Sequence, residues 1–490
     1  MRVGSGLKDI SRMKKIFALF IIILIVVSTA TLVVHYSLLG ENKETKPFYV
    51  GVTYCGESFE EAKQLIDKVK NYTNLFVLQS GLLQLAPSAI NEIGDYAVSS
   101  GMYFIVYFGN QNQAQLEFWL KTAKGRWGER FLGVYYGDEP AGKMLDAYLQ
   151  LQDNTTNSPI PMEIVITNGT TNTSIIEGAR RINATTSTSI IKGPGMISMT
   201  RPDGTNVKYF ADGRITVRNN GTIIEYERNG EIRMYVPPDD MEVPVDPSQV
   251  ESYEDLWNSH PFPTHEAITN FFISDHQGKL GYLHNNSITA FTSDYALYWF
   301  NYKAGYDVVL AQFGWNHTLV QDIALVRGAA KLQNKTWGAI ITWKYNNPPY
   351  LDSGEAIYDQ MLMAYEAGAE YVVIFNYADD MDGTYGTLQD EHFAALERFW
   401  TEVVQSSAVK QGSIEAEAVL VLPENYGWGM RNIEDTIWGL WEPDEKSKQI
   451  WEISRNLIEQ YGLGLDMVYD DPEFPVEGKY PQIFYWNHTG

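Results

Sequence analysis

Two adjacent carboxylates, Asp138 and Glu139, offer the clearest chemistry in the chain, in the run Gly133–Pro140, GVYYGDEP. Neighbouring acids in different surroundings can divide the work, one staying ionised while the other holds a proton to donate. Glu139 is the candidate general acid/base. Asp138, Asp294, Asp379 and Asp380 are candidates for a second carboxylate. The other polar and aromatic residues at comparable positions are Tyr54, Gln79, Tyr107, Trp315, Trp343, Lys344, Asn376 and Tyr377. Aromatic faces stack on the apolar face of a pyranose, and amides and carboxylates bind its hydroxyls, so a carbohydrate is the ligand this mixture suits. A phosphate site would want several Lys or Arg and a Gly-rich loop, and only Lys344 is at hand. The eight His show no HxH or HExxH spacing, so neither a metal nor another cofactor is expected. Asp379-Asp380-Met381-Asp382-Gly383 looks in part like a calcium loop, but Ala378 and Gln389 stand where ligands are needed. Cys55 has no His close to it in sequence and is expected to be inert.

These residues share a position: each follows a short apolar run. The runs are Phe48–Tyr54, Leu75–Leu78, Met102–Phe108, Leu132–Tyr136, Ile288–Thr292, Val308–Phe313, Gly338–Trp343 and Tyr371–Tyr377. A helical pattern follows each, over residues such as 59–72, 87–100, 113–130, 318–333, 354–368 and 388–404. Continuous rather than alternating apolar runs are those of parallel strands buried on both faces. Eight strand–helix units predict an α/β fold, a (β/α)8 TIM barrel over residues 47–405, with the listed side chains at the strand ends where such barrels carry their sites. An open doubly wound sheet fits less well, because no Gly-rich fingerprint follows the first strand. The rhythm breaks between the fourth and fifth strands. Residues 153–265 are expected to be an insertion, an antiparallel β meander with turns at Asp203-Gly204, Asp212-Gly213, Asn220-Gly221 and Asn229-Gly230. It is either a lid over the site or a surface decoration. Residues 406–490 read as a small α/β appendage, too short for a doubly wound domain and expected to pack on the barrel.

The chain has 490 residues and a formal net charge of −24, which argues against a nucleic-acid partner. Its single Cys excludes an internal disulfide framework. A basic tail, 1–15, precedes an uncharged apolar run, Ile16–Val34. That run predicts a single-pass membrane anchor over 16–38, or a cleaved signal peptide ending near Ser28-Thr29-Ala30, with the bulk of the chain extracellular. Ten N-x-S/T sequons point the same way, to a glycosylated exported protein.

The Gly137-Asp138-Glu139-Pro140 segment resembles the acid/base end of TIM-barrel glycoside hydrolases. In the large retaining clan the fourth strand ends in Asn-Glu, often followed by Pro, and the Glu is the acid/base; Asp138 stands at the Asn position. An adjacent Asp-Glu pair is similar to that of substrate-assisted hexosaminidases, which implies Glu139 as acid and Asp138 as the group positioning the substrate's acetamido arm. The resemblance covers residues 48–405. One departure matters: where the clan has its nucleophile Glu, after the seventh strand, this chain has Ile341-Thr342-Trp343-Lys344-Tyr345. A degenerate barrel that binds glycans without cleaving them is the rival expectation. Asp138-Glu139-Pro140 also fits a plain helix start, with acids complementing the dipole and Pro in the first turn.

Overall fold

The computed structural model describes residues 47–109, 113–123, 125–153, 264–315, 317–377, 385–406 and 408–487, and the backbone of nine short strands between residues 163 and 236. Residues 49–490 form one compact unit. Its strands, in chain order, are β1 (Tyr49–Tyr54), β2 (Leu75–Leu78), β3 (Tyr103–Phe108), β4 (Phe131–Tyr136), then β5 (Glu163–Ile166), β6 (Ile176–Glu177), β7 (Arg180–Arg181), β8 (Ser189–Gly193), β9 (Met196–Thr200), β10 (Asn206–Phe210), β11 (Ile215–Asn219), β12 (Thr222–Tyr226) and β13 (Ile232–Val236). There follow β14 (Ala290–Asp294), β15 (Val308–Phe313), β16 (Thr336–Ile341), β17 (Tyr371–Ile374), β18 (Ala418–Leu422), β19 (Leu465–Tyr469) and β20 (Gln482–Tyr485).

Eight of these close into a parallel barrel in the order β1-β2-β3-β4-β14-β15-β16-β17, with β17 pairing back to β1. Alternate residues of each strand point inward, and Tyr49, Leu75, Val77, Ile105, Tyr135, Phe291, Leu310, Ile340 and Val373 fill the interior as one packed core. Gly51 belongs to the same inward set, and a Cβ there would run into the Leu75 carbonyl, so the crowded axis requires glycine.

The surrounding helices are α1 (Phe59–Val69), α2 (Pro87–Ser99), α3 (Gln113–Ala123), α4 (Pro140–Asp153), α5 (His265–Asn285), α6 (Tyr298–Lys303), α7 (Leu319–Leu332), α8 (Gly354–Glu366) and α9 (Asp390–Phe399). The sequence logic is plain in α1. Ser58 caps it, its Oγ accepting from the Glu61 N–H, and Ala62, Leu65, Ile66 and Val69 form the buried stripe. Helix α5, before the fifth barrel strand, was not expected. Its buried stripe of Ile268, Phe272, His276, Leu280 and Leu283 is interrupted by a histidine, which breaks the apolar period.

The barrel expectation therefore holds, and the strand ends shift by up to three residues; β14 runs to Asp294, β16 stops at Ile341 and β17 at Ile374. Strands β10 to β13 pair antiparallel as a meander, within a seven-stranded sheet ordered β13-β12-β11-β10-β9-β8-β5. At the C-terminal end, β18 lies between β19 and β20, all parallel, beside helix α10 (Glu445–Tyr461). This small sheet docks on α7. Arg327, buried, donates from Nε to Asp466 at 2.7 Å and from Nη2 to the Leu463 and Leu465 carbonyls at 2.6 and 3.0 Å. Gly328 gives the Met467 carbonyl room, since a Cβ there would lie 2.8 Å from its oxygen.

One expectation is corrected. No helix among the described residues is long and apolar enough to cross a membrane. The expected 16–38 anchor lies outside the described residues, and the expectations of a membrane partner, a single-pass topology and an extracellular location are withdrawn with it.

Candidate functional site

Glu139 and its neighbours are placed by the turn from β4 into α4. Gly137 and Glu139 both take positive φ, 69° and 54°. For Gly137 that is free; for Glu139 the left-handed conformation costs about 1–2 kcal/mol. The strained residue is held by the fifth strand: the Glu139 N–H donates to the Ser293 carbonyl at 3.0 Å. Glu139 thus stands as a strained acidic residue on the barrel's C-terminal rim.

The Glu139 side chain is bracketed. Gln312, at the end of β15, donates from Nε2 to Glu139 Oε1 at 2.7 Å and to Ser293 Oγ at 3.0 Å. Lys143, one turn into α4, places Nζ 3.4 Å from Glu139 Oε2 and 3.5 Å from Asp138 Oδ2. Asp138 in turn accepts from the Tyr135 hydroxyl, and Ser293 Oγ lies 3.3 Å from its Oδ1. Tyr107 packs edge-on to Tyr135 with ring centroids 5.4 Å apart. Burial raises the Glu139 pKa above the usual carboxylate range; the Asp138 charge raises it further, while Lys143 and the Gln312 hydrogen bond pull it down. Burial also pushes the Tyr107 hydroxyl up to about 12, with Asp138 adding to it.

Asp294 is nearby but already engaged. It is fully buried, and its carboxylate accepts from the N–H groups of Ala141 and Gly142 at 2.8 and 2.9 Å, from Tyr295 N at 2.9 Å and from Asn301 Nδ2 at 2.8 Å. It caps the N-terminus of α4, the helix that Glu139 leads into. Burial pushes its carboxyl up to about 7 against those four donors. The second carboxylate beside Glu139 is thus Asp138, the two sharing one ammonium. Asp379 and Asp380 lie outside the described residues.

A second group forms at the ends of β15, β16 and β17. The Trp343 ring lies 6.2 Å from Trp315, 5.2 Å from Tyr350, 6.3 Å from Phe375 and 5.7 Å from Tyr377. Trp315 is 40% exposed and so is not a core residue. Strand β15 links the two groups, carrying Gln312 toward Glu139 and leading into Trp315, whose N–H donates to the Trp343 carbonyl at 2.8 Å.

Three of the remaining expected residues, Tyr54, Asn376 and Lys344, are occupied elsewhere. The Tyr54 hydroxyl donates at the β1–α1 turn, within 2.8 Å of the Ser58 carbonyl and 3.0 Å of Glu61. Asn376 accepts from Thr387 through backbone and hydroxyl and so braces its own loop. Lys344 pairs with both oxygens of Asp352 at 3.0 Å. Gln79 sits at the end of β2 on the inward side, by alternation from Leu75 and Val77. Sequence reasoning missed Lys143, Tyr135 and Ser293. Lys143 follows Glu139 by four, the helical spacing at which a Glu–Lys pair meets, and that signal was available. Among the described residues no cluster of His, Cys, Asp or Glu could hold a metal ion.

No protein-family model matches the chain. No curated protein matches it either. What groups it with known proteins is the closed eight-stranded parallel barrel with its ring of helices, a TIM-barrel superfamily fold that serves enzymes and ligand-binding proteins alike.

Proposed function

We propose that the C-terminal mouth of the barrel is a carbohydrate site and that Glu139 acts there as general acid/base in glycoside hydrolysis, with Asp138 as its carboxylate partner. The observation that carries this is the state of Glu139: a strained, mostly buried carboxyl beside a second carboxylate, its pKa raised toward the range in which it can donate a proton. The aromatic group around Trp343 supplies the stacking faces a sugar ring wants. With Asp294 engaged at the helix cap and no carboxylate among residues 341–345 at the end of β16, Asp138, which shares Lys143 with Glu139, supports the reading as the acid that positions the substrate or a water.

A second reading, glycan binding without cleavage, is favoured by one observation: Lys143 stabilises the charged form of Glu139 and opposes its use as an acid. Product analysis of the purified chain against a glycan panel separates the two. Hydrolysis predicts released reducing ends, lost by about 10²–10⁴-fold in Glu139→Gln. Retention on the panel with no product in either protein would leave binding alone.

A further inference from the structure

Three buried polar atoms near the barrel mouth find no hydrogen-bond partner among the described residues: Gln312 Oε1, Gln79 Oε1 and Trp343 Nε1. Gln312 is only 5% exposed, and its orientation is fixed, because its Nε2 is committed to Glu139 and Ser293. Its oxygen is therefore left over beside the catalytic candidate. Gln79 holds the equivalent inward position on β2. In the closed ring β2 and β15 stand four strands apart, hence opposite one another, with β4 and its Glu139 midway between. Alternate strands of such a barrel contribute to the same layer. The two amide oxygens thus face each other across the mouth, on either side of Glu139. Trp343 Nε1 belongs to the aromatic group that meets Phe375, itself packed against the barrel core.

Buried polar groups are ordinarily paired, and leaving them unpaired costs stability, so unpaired atoms gathered at one rim are unmet demand for a ligand. The demand has a definite sign pattern: two acceptors lacking donors and one donor lacking an acceptor. A hydroxyl both donates and accepts and can meet all three. A carboxylate or sulfate only accepts, and would face two amide oxygens and two carboxylates with one lysine between them. The net charge of −24 adds a general repulsion of acidic ligands. Resting on the sugar reading above, we propose that this site selects neutral, hydroxyl-bearing glycans over uronate or sulfated ones, and that Gln79 and Gln312 are the specificity-determining acceptors.

The test is calorimetric titration of the full chain carrying Glu139→Gln. The probes are neutral hexasaccharides of the gluco, manno and galacto series and their uronate and sulfated counterparts. The neutral ligand that binds best should exceed its charged counterparts by roughly tenfold or more, and Gln79→Met should weaken it by roughly tenfold. Because Met removes a buried unpaired acceptor at similar volume, the melting temperature of Gln79→Met should stay level or rise, whereas a merely structural glutamine would lower it. Equal or tighter binding of a charged hexamer, or unchanged binding by Gln79→Met at full stability, overturns the proposal while sparing the sugar site. Absence of binding by every saccharide removes the sugar site and this proposal with it.

Discussion

At the residue scale, two neighbouring charges and burial set what Glu139 can do. Asp138 raises its pKa and Lys143 lowers it, each on top of a larger effect of burial. If Glu139 donates the proton, turnover falls as pH rises through its pKa. Asp138→Asn should move that basic limb to lower pH, and Lys143→Met should move it to higher pH; pH–rate profiles of the two variants would show it. A limb that stays fixed in both would mean another group titrates. The same shift has a stability sign. A carboxyl whose folded pKa lies above its unfolded value of about 4.3 favours the fold most below that pH, and the contribution is lost as pH rises through the raised pKa. Glu139→Gln should therefore flatten the decline in melting temperature as pH rises from about 4.3 through the raised pKa. Of this chemistry the sequence exposed the acid pair, because Asp-Glu-Pro closes an apolar run. It hid Tyr135 and Ser293, since which face of a buried strand looks inward is decided only when the barrel closes.

At the scale of elements, the site depends on one helix terminus. Helix α4 begins beside Glu139, and its first free N–H groups are held by Asp294 from the neighbouring strand. A second tie runs to the C-terminal region. Arg431 donates to Asp146 on α4 at 2.6 Å and to Asp435 at 2.7 Å, while the Tyr295 hydroxyl meets the same Asp146 at 2.5 Å. Asp294→Asn replaces an acceptor with a donor in front of two buried N–H groups. It should cost about 1–3 kcal/mol in urea denaturation and lower activity along with it. A loss of activity at full stability would instead give Asp294 a direct role. The strands were legible because their apolar runs are continuous. Helix α5 was not, because His276 interrupts its stripe and Asn, Gly and His residues dilute its period.

At the scale of the whole molecule, the C-terminal sheet is an integral wall rather than an accessory. Arg327 reaches from α7 into the C-terminal region with a buried ion pair to Asp466 and three further bonds to the backbone carbonyls of Ile414, Leu463 and Leu465. Arg327→Met strands the buried Asp466 carboxylate and should cost about 3–5 kcal/mol. Urea unfolding should remain a single transition for barrel and C-terminal sheet together, and two separated transitions would contradict their integration. The sequence suggested an appendage packed on the barrel from its length alone. It could not show the partner, because Gly328 and Arg327 read as ordinary helix residues until Met467 and Asp466 lie against them.

The central claim, that Glu139 delivers a proton to a departing sugar oxygen, is tested most directly by varying the leaving group. Turnover of wild type and Glu139→Gln would be compared on an unactivated glycan and on the dinitrophenyl glycoside of the same sugar, whose leaving group needs no proton. The account predicts a loss of about 10²–10⁴-fold on the glycan and a far smaller loss on the activated glycoside. Equal losses on both, or none on either, would contradict it.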